Sequence, residues 1–404
     1  MNDLQIRQQF PALQRLHQGE PLVFLDGPAG TQVPHLVIEA IANYYRNSNA
    51  NTHGTFITTQ ETDGMMETTR QKVADFLGAA GAHTISFGQN MTSLNFSLSH
   101  AIGKILQPGD EVLITQLDHE SNRGPWLLLR ERGIVVKEVR LLPEGTLDYQ
   151  HFQAQLSERT RLVAVGYASN MLGTVNDLAT IRAWTYQVGA WLLVDAVHYA
   201  PHFSIDVQQL GCDFLLCSAY KFYGPHVGLL YCKPGLLDRL PAERLRTTYQ
   251  HAPYSIETGT LNHAAIAGVQ ASIDFIAGLG EGNHYRARLQ DAMQRISAKE
   301  KSLFVSLVEG LKTHPSIQIF GVDAQVAHRA PTVSFIVKGY TATQVCQYLA
   351  THNICAWNGH FYALRATEVL GLAPEGVVRM GISAYTTFHE VQRTLEVLHN
   401  MLRS

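Results

Sequence analysis

Two short apolar runs, Trp191 to Val194 and Phe214 to Cys217, constrain this chain more than any other feature, because each ends in residues that carry chemistry. Near-continuous apolar runs of this length read as strands buried on both faces, the pattern of a parallel sheet. The first runs into Asp195 and the second into Ser218-Ala219-Tyr220-Lys221. Open α/β sheets bind ligands at the carboxyl ends of their strands, so an acid and a lysine on neighbouring strands would face one cleft. That pairing has a specific chemical use. A lysine that forms a Schiff base needs an aldehyde, and the aldehyde cofactor pyridoxal phosphate needs a carboxylate that keeps its ring nitrogen protonated and its ring electron-accepting. The same two residues also read as an acid capping the next helix and a lysine reaching past apolar surface to solvent, and spacing alone leaves both readings open.

Strand and helix patterns alternate around this stretch. Strands are expected from Thr84, at residues 111–115, 134–139 and 161–166, with helices at 91–106, up to about 132, and at 178–188. This repetition argues for a mostly parallel sheet in a large domain. Ahead of it come a helix at 5–13, a strand at 22–25, a helix at 34–46, a polar loop at 47–54 and a helix at 67–76. Gly278-Leu279-Gly280-Glu281-Gly282 is the clearest linker, and the boundary is placed there, dividing residues 1–280 from 281–404. The N-terminal segment is expected to pack on the second part. That part, a long helix to about 311, strands at 332–337, 354–357 and 377–382 and a last helix, reads as a smaller C-terminal α+β domain. Thr387 with Glu390 forms a capping box for that last helix.

Several residues stand where a ligand would be. A strand running into Asn90-Met91-Thr92-Ser93 at a helix start favours an anion through free amides and the helix dipole, although such residues also serve as ordinary caps. His119 follows a strand end, where a planar imidazole could stack on a planar cofactor. Asn170 is placed to hydrogen-bond a ligand oxygen or only its own backbone. The Gly/Pro turn around Ala29 brings backbone close to a neighbour, and His53 in the polar loop faces either a ligand or solvent. Arg379 lies inside an apolar strand, where a guanidinium needs an anion: a structural acid or a substrate carboxylate.

With 404 residues, 46% of them hydrophobic, the chain can bury a large core. A net charge of −3 with Lys and Arg scattered makes nucleic acid and anionic membrane poor partners. No run approaches the roughly 18 apolar residues of a membrane span. Met1-Asn2-Asp3-Leu4-Gln5 lacks signal-peptide character, so a cytoplasmic protein is expected. Five cysteines, Cys212, Cys217, Cys232, Cys346 and Cys355, contain no C-x-x-C pair and read as reduced thiols. A metal site from His198 and His202 is not expected, since Pro201 breaks the helix their spacing would need.

Val194-Asp195-Ala196-Val197-His198 resembles the VDGAQ segment, and Ser218-Ala219-Tyr220-Lys221-Phe222-Tyr223-Gly224-Pro225 the SGHKxxGP segment, of the class V aminotransferase family of pyridoxal phosphate enzymes, cysteine desulfurase-like branch. The matching pieces run from Phe24 to Ser383 in family order. The resemblance implies the type I fold of pyridoxal phosphate-dependent transferases and a homodimer with shared active sites. It implies that Lys221 carries the cofactor, Asp195 pairs with its ring nitrogen, His119 stacks on the ring, and Asn170 and His198 lie near the ring oxygen. Asn90, Met91, Ser218 and Tyr220 would hold the phosphate, with Thr260 reaching across from the other subunit. Arg379 would bind the substrate carboxylate, with Ala29, His53 and Tyr362 around a small amino acid.

Three departures accompany it. Asn90-Met91 replaces two threonines, and His198 replaces glutamine. Trp357-Asn358-Gly359-His360-Phe361-Tyr362-Ala363 echoes RTGHHCA, but Tyr362 stands where the sulfur-accepting cysteine would be, and a phenol cannot form a persulfide. Carbon–sulfur β-elimination is therefore the expected chemistry, with transamination or epimerisation as the alternatives; Tyr362 or His198 would serve as acid. A Ser218-x-x-Lys221 serine hydrolase is a rival of another class, but its serine should open a helix and this one closes a strand. A non-catalytic cofactor-binding protein is the other; the joint presence of Lys221, Asp195 and Arg379 argues against it.

Overall fold

The computed structural model describes residues 3–403. Seven strands, β1 (Ile85–Gly88), β2 (Glu111–Thr115), β3 (Val135–Val139), β4 (Thr160–Gly166), β5 (Trp191–Asp195), β6 (Phe214–Ser218) and β7 (Gly228–Cys232), form one sheet in the order β1-β7-β6-β5-β4-β2-β3. Strands β3, β2, β4, β5 and β6 are mutually parallel, and β7 runs against both β6 and β1. Successive side chains of a strand point to opposite faces. Leu192, Val194, Leu215 and Cys217 thus enter one core, and Leu193, Phe214 and Leu216 the other. Both faces are buried, which is why these runs are apolar without alternation.

Helices cover both faces: α1 (His35–Asn47), α2 (Ile57–Leu77) and α4 (His263–Ala277) pack together on one side, and α3 (Met91–Gly103) sends Leu94, Leu98 and Ile102 into the other core. A second sheet, antiparallel and in the order β8-β9-β11-β10, comprises β8 (Ile317–Phe320), β9 (Thr332–Val337), β10 (Trp357–Gly359) and β11 (Val377–Gly381). Helices α5 (Tyr285–Lys312), α6 (Ala342–Thr351) and α7 (Phe388–Met401) accompany it. The capping box of α7 is formed by Thr387 and Glu390. Val23 and Leu25 bury in the core of this second sheet, Val23–Phe24 pairs in parallel with Ile354–Cys355, and Asp26 bridges to Gly381. These pairings bring the Pro28-Ala29 turn between the two sheets. Among the described residues no helix is long and apolar enough to cross a membrane.

Several elements differ from their expected form. Pro11 lacks an amide proton, so the helix expected over residues 5–13 is a helix at Asp3–Gln8 followed by a 3-10 turn at Pro11–Gln14. Helix α2 begins at Ile57 rather than Glu67. Its first turns, Ile57-Thr58-Thr59-Gln60-Glu61-Thr62, have no apolar stripe, and burial of Thr59 and Thr62 holds them helical. The strand expected at 354–357 splits at Ala356, one piece pairing with Val23–Phe24 and the other with β11. Strand β7 was not anticipated, and Gly228 explains how it fits: a Cβ there would lie 2.4 Å from the carbonyl carbon of Asn90. The bare backbone lets β7 run against the turn that opens α3.

Candidate active site

The carboxyl ends of the parallel strands open on a cavity of about 980 Å³. It is lined by Asn90 and Met91 after β1, His119 after β2, Asn170 after β4, Asp195 at the end of β5 and His198 beyond it, and Ser218 at the end of β6 with Tyr220 and Lys221 beyond it. Ala29 from the N-terminal turn, Tyr362 from the loop after β10 and Arg379 from β11 close the other side. His53 and Thr260 are not part of this cavity. His53 is exposed, with its backbone amide on the Asp63 carboxylate and its ring against Tyr249, and Thr260 is exposed in the loop before α4.

Lys221 and Asp195 lie on parallel neighbours, as their two runs suggest. The Lys221 ammonium donates to the carbonyls of Pro28 and Ala29, the latter at 3.1 Å. Burial, and then the Arg379 charge, lower its pKa to about 7, with Asp195 acting in the opposite sense. An amine in that range is available as a nucleophile and as a base near neutral pH. Asp195 is buried and accepts from the Val197 amide at 2.9 Å through Oδ1. Burial raises it to about 6, against the Val197 hydrogen bond and the Lys221 charge. A cation placed against this carboxylate would be strongly favoured.

His119 has a defined protonation state. Its Nδ1 accepts from the Ser121 amide at 3.0 Å, so the ring proton resides on Nε2. Burial, with the charges of Lys221 and Arg379, lowers its pKa to about 4, and the ring is a neutral imidazole. Asp118 lies beneath it, accepting from the Gly166 amide at 2.8 Å and pushed up to about 7 by burial and by Asp195. His198 is buried, with Nε2 2.9 Å from Thr332 Oγ1 and Nδ1 without a partner.

At the β1 end, Asn90 caps α3 in a reciprocal box with Ser93. The Met91 amide donates to Ser218 Oγ at 3.0 Å. The amide expected to meet an anion is therefore engaged, and the Ser218 hydroxyl keeps its own proton to donate. Tyr220 stacks on His226, ring centroids 4.6 Å apart, at the same end.

Arg379 is buried, and among the described residues it makes no ion pair. Nη1 donates to the Asn170 carbonyl at 2.9 Å, and Nε has no partner. Burial lowers its pKa to about 9, with Asp26 and Tyr220 opposing. An unpaired guanidinium of this kind is a site for an anion. The Asn170 side chain, expected at a ligand oxygen, lines the cavity and donates one amide proton to the Phe361 carbonyl at 2.8 Å. Asp118, Glu120, His226 and Phe361 also line the cavity and were not singled out from sequence. Asp118 and Glu120 directly flank His119 after a strand end, which was the available signal.

The cavity fits pyridoxal phosphate by its chemistry: an amine titrating near neutrality, a buried carboxylate, a helix N-terminus with a free hydroxyl donor, and an unsatisfied imidazole nitrogen. The fold is that of type I pyridoxal phosphate-dependent enzymes. Comparison with known proteins agrees. The family model described as "Aminotransferase class-V" matches residues 23–394. A cysteine desulfurase of Pectobacterium carotovorum is 33% identical, covering 99% of this chain and 98% of its own length. One from Salmonella agona is 31% identical, covering 98% of each. Among solved structures, an apo cysteine desulfurase from Thermococcus onnurineus superposes with a TM-score of 0.89 at 27% identity, covering 99% of this chain and 98% of the other. A cysteine desulfurase from Escherichia coli, in an S-sulfonic acid form, gives 0.87 at 27% identity, covering 100% and 99%. The chain belongs to the class V aminotransferase family and is a cysteine desulfurase-like, pyridoxal phosphate-dependent enzyme.

Proposed function

We propose that this enzyme is a carbon–sulfur lyase that eliminates the β-sulfur of a small amino acid such as L-cysteine without forming a persulfide on the protein. The carrying observation is that, among the described residues, no cysteine lines the cavity; the resemblance of residues 357–363 to RTGHHCA puts Tyr362, which does line it, at the place of the sulfur acceptor. Cys355 sits in the strand pair with Phe24, half-buried, and burial raises its thiol to about 11, far from the thiolate needed for attack.

When bound, pyridoxal phosphate supplies a ring that accepts the electron pair left at the substrate α-carbon. Lys221 would hold its aldehyde, Asp195 its ring nitrogen, His198 its ring oxygen, and Asn90, Ser218 and Tyr220 its phosphate, with the neutral His119 over the ring. Arg379 binds the α-carboxylate of the amino acid. The neutral Lys221 amine would take the α-proton. The departing sulfur takes the electron pair of the carbon–sulfur bond and a proton from Tyr362.

We also assign a homodimer in which Thr260 and His53 serve the cavity of a second copy. Both are exposed, and the His53 ring lies against the exposed Tyr249, a few residues from the exposed Phe56 and Ile57 in sequence. The division at about residue 280 belongs to the same proposal, supported by a core that gathers the second sheet with Val23 and Leu25, while Leu289, Met293 and Ile296 of α5 join the first core.

Cys355→Ser tests the sulfur assignment. The variant is expected to turn over L-cysteine at the wild-type rate, within about twofold, measured by sulfide release. A loss of roughly a hundredfold or more, the signature of a missing nucleophile, would place Cys355 in the reaction.

A further inference from the structure

The loop that joins β10 to helix Leu364–Val369 contains two consecutive aromatic residues in the left-handed region, Phe361 at φ 53° and Tyr362 at φ 58°. Bulky side chains rarely adopt this conformation, and it persists only where the surroundings over-determine it. Here they do. The Phe361 carbonyl accepts from Asn170 Nδ2 at 2.8 Å, and the Tyr362 carbonyl from the Glu120 amide at 2.7 Å. The Tyr362 amide donates to His360 Nδ1 at 3.0 Å, and the Ala363 amide to the His360 carbonyl at 2.8 Å. The two rings go to different partners: Tyr362 lies 5.4 Å from the His119 ring, and Phe361 lies under Arg379, whose guanidinium carbon is 4.0 Å from the ring centroid.

Asn170 closes this arrangement. It donates to the Phe361 backbone through its side chain and accepts from Arg379 Nη1 through its carbonyl, at 2.9 Å. One face of the guanidinium is thus occupied by an aromatic ring and one edge by a carbonyl. Neither neutralises the charge, and Nε remains unpartnered. An aromatic face stabilises a desolvated cation without offering it a hydrogen-bond acceptor, so the remaining donors stay free for an incoming anion.

We propose that Phe361 is a positioning and specificity residue: it holds Arg379 in place and charged for the α-carboxylate of the amino acid, and so selects substrates that carry that group. The proposal rests on Arg379 as the carboxylate site.

The test uses holoenzyme with Phe361→Ala, Phe361→Leu and Phe361→Tyr, titrated through the visible cofactor band with L-alanine and with ethylamine, which lacks the carboxylate. Phe361→Ala is expected to weaken L-alanine binding about tenfold, within the range of a desolvated cation–π contact, and to leave ethylamine binding unchanged. KM for L-cysteine rises in parallel while kcat stays within about twofold. Phe361→Tyr restores wild-type affinity and Phe361→Leu falls between, so the comparison stands even where the alanine variant folds poorly. Equal weakening of both ligands, no weakening of either, or a fall in kcat at constant KM would overturn the proposal alone. A wild type that does not bind L-alanine would overturn the reading of Arg379 and this proposal with it.

Discussion

Lys221→Ala is expected to lower turnover of L-cysteine by roughly a thousandfold or more, because one change removes both the covalent hold on the cofactor and the general base. The fold should survive. The side chain is buried, but among the described residues its hydrogen bonds go to two backbone carbonyls, of Pro28 and Ala29, in a turn tied independently to the second sheet. The variant should still bind pyridoxal phosphate through its other contacts, with the visible band moved to that of the free aldehyde. The pH dependence of the wild type follows from the same residue. Its pKa is depressed to about 7 by burial and by Arg379, so the neutral amine predominates above that value and the ammonium below it. Reconstitution of cofactor-free protein should therefore quicken as pH rises through about 7 and then level off, as followed by the growth of the visible band. A midpoint near the ordinary lysine value of 10.5 would contradict the assigned environment.

Arg379→Ala is expected to raise KM for L-cysteine by roughly a hundredfold, from the loss of charge-assisted hydrogen bonds to the α-carboxylate. The effect on kcat should be smaller, since the carboxylate is bound before and during the chemical step. Arg379 carries a second electrostatic role. Its charge helps to depress Lys221, so in Arg379→Ala the reconstitution midpoint should move upward. Steady-state kinetics and the pH series together separate these roles: a carboxylate contact alone would change KM and leave the midpoint in place.

The elements that build the cavity floor were legible because their physics is local. A strand buried on both faces must be apolar throughout, and Trp191 to Val194 and Phe214 to Cys217 satisfy that with their polar residues massed at one end. The capping box at Thr387 and Glu390 is likewise a short-range contact. What was not legible depends on distant partners. The first turns of α2 are polar and threonine-rich, and their buried Thr59 and Thr62 are held by Asn51, Ser48 and Tyr44, outside the helix. Strand β7 reads as a tail of the Lys221 segment until Asn90, far away in sequence, is seen to need a glycine at 228. The same holds within the site. Arg379 stands out as a charge in an apolar strand, but its ring partner Phe361 looks like an ordinary loop residue until the left-handed turn places it. Asn170 lines the cavity as expected of a ligand contact, but nothing in the sequence shows the loop carbonyl that takes one of its amide protons. His53 lies outside the cavity of its own chain, which a linear sequence cannot indicate; Thr260, expected from the resemblance to serve a second copy, is outside it too.

The most direct test of the account is the carbon product made from L-cysteine by the holoenzyme, measured beside the sulfur bound to the protein. Elimination releases sulfide and leaves a three-carbon enamine that water converts to pyruvate and ammonia. Transfer of sulfur to an enzyme thiol instead returns the carbon skeleton as alanine and leaves a persulfide on the protein. The account predicts pyruvate and sulfide in equal amounts, with no added sulfur on the chain by mass spectrometry. Alanine as the main product, together with a persulfide on any of the five cysteines, would contradict it.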